Sequence, residues 1–344
     1  MEQSLWKYLE KSRKPVVLYG MGDGADKIIK VLESRGIEYR GVFATDGFVR
    51  DKYFHGLKLS SYAALKEKFG DMTVLLCFGS ARPEVLENIK RISAEQELYA
   101  PDVPVYGGGL FTEDYYAEHE KDFEYVFSRL ADEKSRETLE CLINYKLSGK
   151  PEYLYRCEVS PIEPLGFLGL SGHENYFDLG AYNGDTVTEF VTRFPDYNSI
   201  TAVEPDGRNF RKLSAAAEKL RNIKTVNACV SDTDGTAAFS MRGGRNSSSG
   251  GTDTIPSVTV DSLAENTGVS FIKMDIEGAE CTAIAGAAKT LTLKNPKMQI
   301  ACYHRTGDLT DIPMAVDRIN PDYKIYLRHF PCLPAWDTNY YFIP

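Results

Sequence analysis

Short apolar runs, each closed by a glycine turn or a carboxylate and followed by residues at helical spacing, recur along this chain. The first is Val16-Val17-Leu18-Tyr19, which enters Gly20-Met21-Gly22-Asp23-Gly24-Ala25 and then a helical pattern through Ile28, Ile29, Val31 and Leu32. Tyr39 to Ala44 predicts a second strand ending at Thr45-Asp46, Met72 to Phe78 a third ending in Gly79-Ser80, and Val103-Pro104-Val105-Tyr106 another. Alternating strands and helices predict a small parallel sheet. From Phe111 to Leu147 the spacing of Tyr125, Leu130, Leu139, Leu142 and Ile143 predicts two helices, and Leu147-Ser148-Gly149-Lys150-Pro151 is a helix stop. Tyr153 to Gly172, with Pro161 and Pro164, is a lead-in lying over the unit that follows.

That unit opens with Tyr176-Phe177-Asp178-Leu179-Gly180-Ala181-Tyr182-Asn183-Gly184-Asp185, an apolar strand entering a glycine-spaced turn. Glycine permits a tight turn and close backbone approach, so Gly180 and Gly184 predict a ligand-facing loop. Thr186 to Arg193 is helix-compatible, and its first N–H groups would face the crevice at the strand ends. Thr201-Ala202-Val203-Glu204-Pro205 predicts the next strand, with Glu204 about twenty residues after Gly184. A carboxylate there accepts hydrogen bonds from both ribose hydroxyls. A phosphate is less favoured, since the turn carries Asp178 and Asp185 with no lysine or arginine nearby in sequence. The expected ligand is a nucleoside that is neutral or cationic at this point.

Three further blocks follow: Asn227 to Asp232, a strand end that could flank an adenine; Ser257 to Leu263, a strand passing into a helix; and Val269 to Glu280, an apolar strand opening into clustered carboxylates. Four segments together resemble the FkbM family of S-adenosylmethionine-dependent methyltransferases. They are Phe177–Asp185, Ala202–Pro205, Val258–Leu263 and above all Ile272-Lys273-Met274-Asp275-Ile276-Glu277-Gly278-Ala279-Glu280. The resemblance covers roughly the half of the chain from Tyr176 onward. It implies a class I methyltransferase fold around a central, mostly parallel sheet for that half; with the N-terminal strand-and-turn unit read above, the expected fold is an α/β protein with two Rossmann-like domains. The expected boundaries are 1–110 for a small N-terminal domain, 111–150 for a helical linker and 151–344 for the methyltransferase domain.

The resemblance also implies a cofactor site. Asp178, Gly180, Ala181, Tyr182, Gly184 and Asp185 would line the methionine and ribose portions of S-adenosylmethionine, and Glu204 with Pro205 would hold the ribose. Cys229, Val230 and Ser231 would border adenine, and Asp275 would lie beside the transferable methyl. The glycine-, serine- and threonine-rich stretch between Met241 and Pro256 departs from the common pattern and leaves the acceptor open.

Bulk composition narrows the class. The chain has 344 residues, enough for two cores, with 43% hydrophobic and 26% charged residues, which is ordinary globular composition. No apolar run approaches the ~20 residues of a membrane helix. The mixed-charge start Met1 to Glu10 is unlike a signal peptide, so a cytoplasmic location is expected. Seven scattered cysteines, with no CxxC pair, read as reduced thiols. A net charge of −9 argues against nucleic acid as a partner, and the cluster Lys212, Lys219, Arg221 and Lys224 reads as a solvated helix face. The expected partner is a small-molecule or saccharide acceptor, with a homo-oligomer left open.

Methyl transfer to a hydroxyl needs a base or a metal within hydrogen-bond reach of the acceptor. Asp275 and Glu277 alternate on an extended segment and would face one crevice if the strand persists. His304, after the apolar strand Met298 to Tyr303, is the expected general base, with a loop histidine as the bland alternative. Glu280 is expected to complement the dipole of the next helix. Arg328-His329 either contacts the acceptor or caps the sheet, and His55, His119 and His173 lack a motif. Asp275, Glu277 and one histidine also match a divalent-cation donor set, but carboxylate pairs at strand ends are common without one and no metal ligand is assigned.

The N-terminal turn Gly20-x-Gly22-x-x-Ala25 with Asp46 fits the dinucleotide fingerprint in its alanine form. It leaves a second reading open, an NAD-dependent oxidoreductase or nucleotide-sugar-binding protein. A binding or assembly module is favoured, because the unit is short and is followed by its own transferase-like half.

Overall fold

The computed structural model describes residues 2–45, 52–240, 248–249 and 253–344. Asp46 and residues 241–247 and 250–252 lie outside them.

The first sheet comprises β1 (Val16–Tyr19), β2 (Tyr39–Phe43), β3 (Tyr53–Phe54), β4 (Leu57–Ser60), β5 (Thr73–Leu76) and β6 (Glu97–Tyr99), in the order β3-β4-β2-β1-β5-β6. All neighbours are parallel except the β3–β4 hairpin. β1 and β5 are buried on both faces, as expected of central parallel strands. The strand expected at Val103–Tyr106 does not form, and its place beside β5 is taken by β6. Pro104 has no N–H for a ladder. Tyr106 instead donates its N–H to the His304 carbonyl, 2.8 Å away in the other half of the molecule.

The second sheet uses β7 (Asn175–Leu179), β8 (Ser199–Val203), β9 (Ile223–Val226), β14 (Phe271–Met274), β15 (Lys297–Ala301), β16 (Lys324–His329) and β17 (Thr338–Ile343). Its order is β16-β17-β15-β14-β7-β8-β9, parallel except that β17 is antiparallel to both neighbours. Connections run outward on both sides of the β7–β14 pair, so the crevice at their carboxyl ends is the topological switch point where such sheets take ligands. A small side sheet, β10 (Cys229–Val230), β11 (Gly235–Ser240), β12 (Ser248–Ser249) and β13 (Asp253–Val258), has the order β10-β13-β11-β12.

Three helices, Glu113–Glu118, Glu120–Arg129 and Glu133–Ser148, occupy the segment expected to hold two. The last ends at Gly149, whose left-handed φ of +65° gives the helix stop read from the sequence. These helices do more than connect. Leu139, Leu142 and Tyr145 belong to one continuous core with Val17, Val74 and Leu76 of the first sheet and Ile272, Met298 and Ile325 of the second. Ser135 Oγ accepts the Leu327 N–H at 2.9 Å, and Asp132 pairs with Arg328 at 2.6 Å. Arg328 is buried between Asp132 and Glu163, so it ties the helix to the sheet edge and does not face an acceptor. His329 is likewise buried, its Nδ1 2.9 Å from Thr338 Oγ1.

The shared core turns the two carboxyl edges toward one another. Ser80, beyond β5, exchanges backbone hydrogen bonds with Leu333 at 2.8 and 3.1 Å. Gly79 lies so close to Trp336 that a Cβ would come within 2.2 Å of the indole. No helix among the described residues is long and apolar enough to cross a membrane.

This contact gives a direct test of the docking. Gly79→Ala is expected to destabilise the protein by roughly 1–3 kcal/mol through overpacking. Adding Trp336→Ala should recover part of the loss in thermal unfolding, and equal losses with and without the indole would break the assignment.

Candidate functional site

The turn after β7 is shaped by a neighbouring backbone. A Cβ on Gly180, at φ +85°, would lie 1.9 Å from the Asp275 carbonyl oxygen. The glycine is therefore demanded by the meeting of β7 and β14, where the sequence had suggested ligand approach alone. Gly184, at φ +86°, caps the helix Asp185–Arg193 and packs on Leu213. Between them Ala181 is buried and Tyr182 adopts a left-handed φ of +47°. That twist aims the Tyr182 N–H at Glu204 Oε2, 2.9 Å away, while Glu204 Oε1 accepts from Asp206 N–H at 2.9 Å. Asp185 starts the helix exposed, its Oδ1 accepting the Thr186 N–H at 2.8 Å.

Glu204 is the buried acid of this crevice. Burial pushes its carboxyl up to about 7, against the pull of the Asp206 and Tyr182 amides. The Asn209 side chain is a further donor to this carboxyl, and the lone pairs left over can take an external donor. Asn227 fixes the segment by donating to the Glu204 and Pro205 carbonyls at 2.8 and 3.0 Å. Cys229 borders the same space, its thiol pushed up to about 11 by burial and the Glu204 charge. Cys229 and Val230 pair with Ser257 and Val258, and Ser231 donates its N–H to Val258 at 3.0 Å.

Asp178 has a cationic partner that linear reading missed. Lys273, its register neighbour across β7 and β14, places Nζ 3.4 Å from Asp178 Oδ1. The Thr186 hydroxyl donates to Asp178 Oδ2. Burial works against the Lys273 charge, but Asp178 and Asp275 hold its pKa above the ordinary value. The lysine whose absence disfavoured phosphate is thus present, though already paired.

On the other side of Gly180, β14 stops at Met274 and the chain turns sharply. Glu277 has φ +55° and Gly278 φ +92°, so Asp275 and Glu277 do not alternate along a strand. The turn still brings both to one imidazole. His304 Nε2 lies 3.3 Å from Asp275 Oδ1 and 3.7 Å from Glu277 Oε2, and Nδ1 lies 3.0 Å from Glu280 Oε1. Glu280 does begin the next helix, as expected, but its side chain is only 1% exposed and faces His304.

This setting changes what His304 can do. Burial opposes its charge, yet Glu280 and Asp275 outweigh that and raise its pKa well above 6.5. A buried imidazolium has no free nitrogen to receive a proton, so it is a positioning group rather than an open base. Asp275 and Glu277 keep about a third of their side chains exposed, at 35% and 34%. Partial desolvation raises the Asp275 pKa, but His304, Lys273 and the Tyr303 hydroxyl pull it far below the usual carboxylate range. Tyr303 donates to Asp275 at 3.2 Å, and Asp308 Oδ2 accepts the N–H groups of His304 and Arg305 at 2.8 and 2.7 Å.

The N-terminal half closes over this edge. The Arg305 guanidinium stacks on Tyr106 at 4.4 Å and donates to the Gly278 carbonyl. Thr306 donates to Gly109 at 3.0 Å. Across the way, a Cβ on Gly20 would meet the Phe78 ring at 2.5 Å, so protein packing accounts for the first glycine of the dinucleotide-like turn. His55 and His119 pair with Asp26 and Asp122.

Residues 178–320 match the family model described as the methyltransferase FkbM domain. Among solved structures, methyltransferase FkbM from Methylobacillus flagellatus KT superposes with a TM-score of 0.74 at 23% identity, covering 96% of this chain and 90% of that one. Aeropyrum pernix fibrillarin, crystallised with S-adenosyl-L-methionine, aligns with a TM-score of 0.33 at 15% identity over 50% of this chain and 66% of that one. No curated protein matches the chain.

The raised pKa of Glu204 has a signed consequence. Its folded value of about 7 lies above the ordinary 4.5, so its contribution to stability is complete below pH 4.5 and lost as pH rises through 7. Denaturant unfolding of the free protein should show a fall in stability from pH 5 to pH 8 that is smaller in Glu204→Gln. Identical profiles would rule out a buried acid at this position.

Proposed function

We propose, from the match of residues 178–320 to the methyltransferase FkbM domain, that the protein moves a methyl group from S-adenosylmethionine to a hydroxyl of a small molecule or saccharide. The observation that carries this reading is the placement of Glu204 and Asp275 on either side of the Gly180 turn, at the switch point of the second sheet.

S-adenosylmethionine supplies an electrophilic methyl, and the protein's task is to hold an acceptor in line with it and exclude water. Glu204 would accept a ribose hydroxyl on the lone pair that Tyr182, Asp206 and Asn209 leave free. The turn Gly180 to Gly184 would border the methionine portion, and Cys229 to Ser231 the adenine. Asp275 and Glu277, each about a third exposed, would orient the acceptor hydroxyl, with Asp275 staying charged and Glu277 taking up the proton. His304 would act through Asp275, fixing its rotamer from behind.

The acceptor would lie between the facing carboxyl edges, walled by Tyr106 and Arg305 and by the loop carrying Trp336. Phe78 over Gly20 and Trp336 over Gly79 favour an acceptor-wall role for the first unit over a dinucleotide site. A net charge of −9 favours an uncharged or cationic acceptor over nucleic acid. Seven free cysteines, six of them buried, support a reducing compartment such as the cytoplasm.

Incubating the purified protein with methyl-labelled S-adenosylmethionine and a small-molecule and glycan extract should label a discrete acceptor. Glu204→Ala should weaken S-adenosylhomocysteine binding by at least about tenfold in calorimetry, as expected for lost hydrogen bonds to a charged group. Asp275→Asn should keep that affinity within a few-fold and abolish transfer. Unchanged affinity in Glu204→Ala would contradict the ribose assignment.

A further inference from the structure

The buried group behind the Gly180 turn has more negative charge than its cations neutralise. Asp275, Glu277 and Glu280 converge on the single imidazole of His304. Lys273 is shared between Asp178 and Asp275, and Arg305 is engaged by the Gly278 carbonyl and the Tyr106 ring. His304 is fully buried and Glu280 is 1% exposed. Among the described residues, neither His304 ring nitrogen nor Glu280 Oε2 makes a hydrogen bond of sound geometry, although carboxylate oxygens lie 3.0 and 3.3 Å from the ring.

Glu280 faces Nδ1 and Asp275 faces Nε2, so only one of the two contacts can become a ligand pair on a single ion. One donor atom each from Asp275, Glu280 and His304 falls within a 4.8 Å span. Two ligands about 2.1 Å from one cation stand at most about 4.2 Å apart, so the side chains would draw in slightly around it. The outer groups are also those of a ligand set: Tyr303 Oη donates to Asp275 at 3.2 Å, and the Ile276 N–H donates to Glu280 Oε1 at 3.0 Å. Asp275, about a third exposed, opens the group toward the acceptor cleft.

We propose that Asp275, Glu280 and one nitrogen of His304 form a divalent-cation site, the ion displacing one proton of the imidazolium to solvent. Two carboxylates and an imidazole suit Mn²⁺ or Zn²⁺, with remaining positions open to water or an oxygen ligand. Such an ion would draw down the pKa of a coordinated hydroxyl. That use rests on the reading of the protein as an O-methyltransferase, whereas binding itself does not.

The test uses full-length protein stripped with EDTA, exchanged into chelator-free buffer and titrated with Mn²⁺. Electron paramagnetic resonance should count one tightly held ion per chain, with pulsed spectra showing an imidazole nitrogen coupling, and thermal unfolding should shift upward. Glu280→Gln should weaken binding by more than about tenfold, as loss of an outer-shell partner alone can do. His304→Ala should remove the nitrogen coupling, and His119→Ala should change neither readout. S-adenosylhomocysteine binding is measured on every variant to show that it is folded. Absence of Mn²⁺ and Zn²⁺ binding at millimolar concentration in a wild-type protein that binds S-adenosylhomocysteine would overturn the site and leave a buried ion-paired histidine. Stoichiometric binding untouched by both substitutions would overturn it equally. A protein that binds Mn²⁺ through His304 but not S-adenosylhomocysteine would instead remove the functional reading and keep the site.

Discussion

Everything at the second sheet's edge depends on how closely two backbones meet. Gly180 can lie against the Asp275 carbonyl only because it has no side chain, and its positive φ would strain most other residues. That approach joins the ends of β7 and β14. From it follow the position of Glu204 on one side and the carboxylate turn on the other. Both groups are then carried by elements whose own packing is fixed: Glu204 by backbone amides, and Asp275 by Tyr303, Lys273 and His304. The proposed site is carried by strand ends, which suits a reaction whose rate depends on alignment.

The site also shows how burial and charge divide labour among similar groups. Glu204 and Asp275 are both carboxylates at strand ends, but their acidities move in opposite directions. Glu204 is desolvated, its hydrogen-bond donors are neutral amides and the Asp206 charge repels it, so its pKa rises to about 7. Asp275 is flanked by a lysine and an imidazolium, and its pKa falls. The first is suited to neutral donors such as sugar hydroxyls, the second to remaining charged beside a reacting centre.

Strand positions, glycine turns and the acids that follow them could be read from the chain, because period and punctuation are local. The Asp178–Asp185 turn, Glu204 and Asp275 fall at the predicted sheet edge. What stayed hidden was anything requiring two strands at once. Lys273 sits in the most distinctive block of the sequence, yet its partnership with Asp178 appears only when β7 and β14 are paired in register. The same holds for Glu280, which reads as a helix start until the β15 loop brings His304 against it. Val103–Tyr106 has strand-like composition, but the Tyr106 amide is spent on a carbonyl almost two hundred residues away. Glu277 was misread for a local reason, since a left-handed turn before Gly278 replaced the expected extension.

The common core through Leu139, Leu142 and Tyr145 has an evolutionary corollary. A chain whose halves touch only through a hinge can exchange one half for another and acquire new specificity by recombination. Here a foreign first half would have to reproduce the packing of a helix layer it does not own, together with the Trp336 and Arg305 contacts.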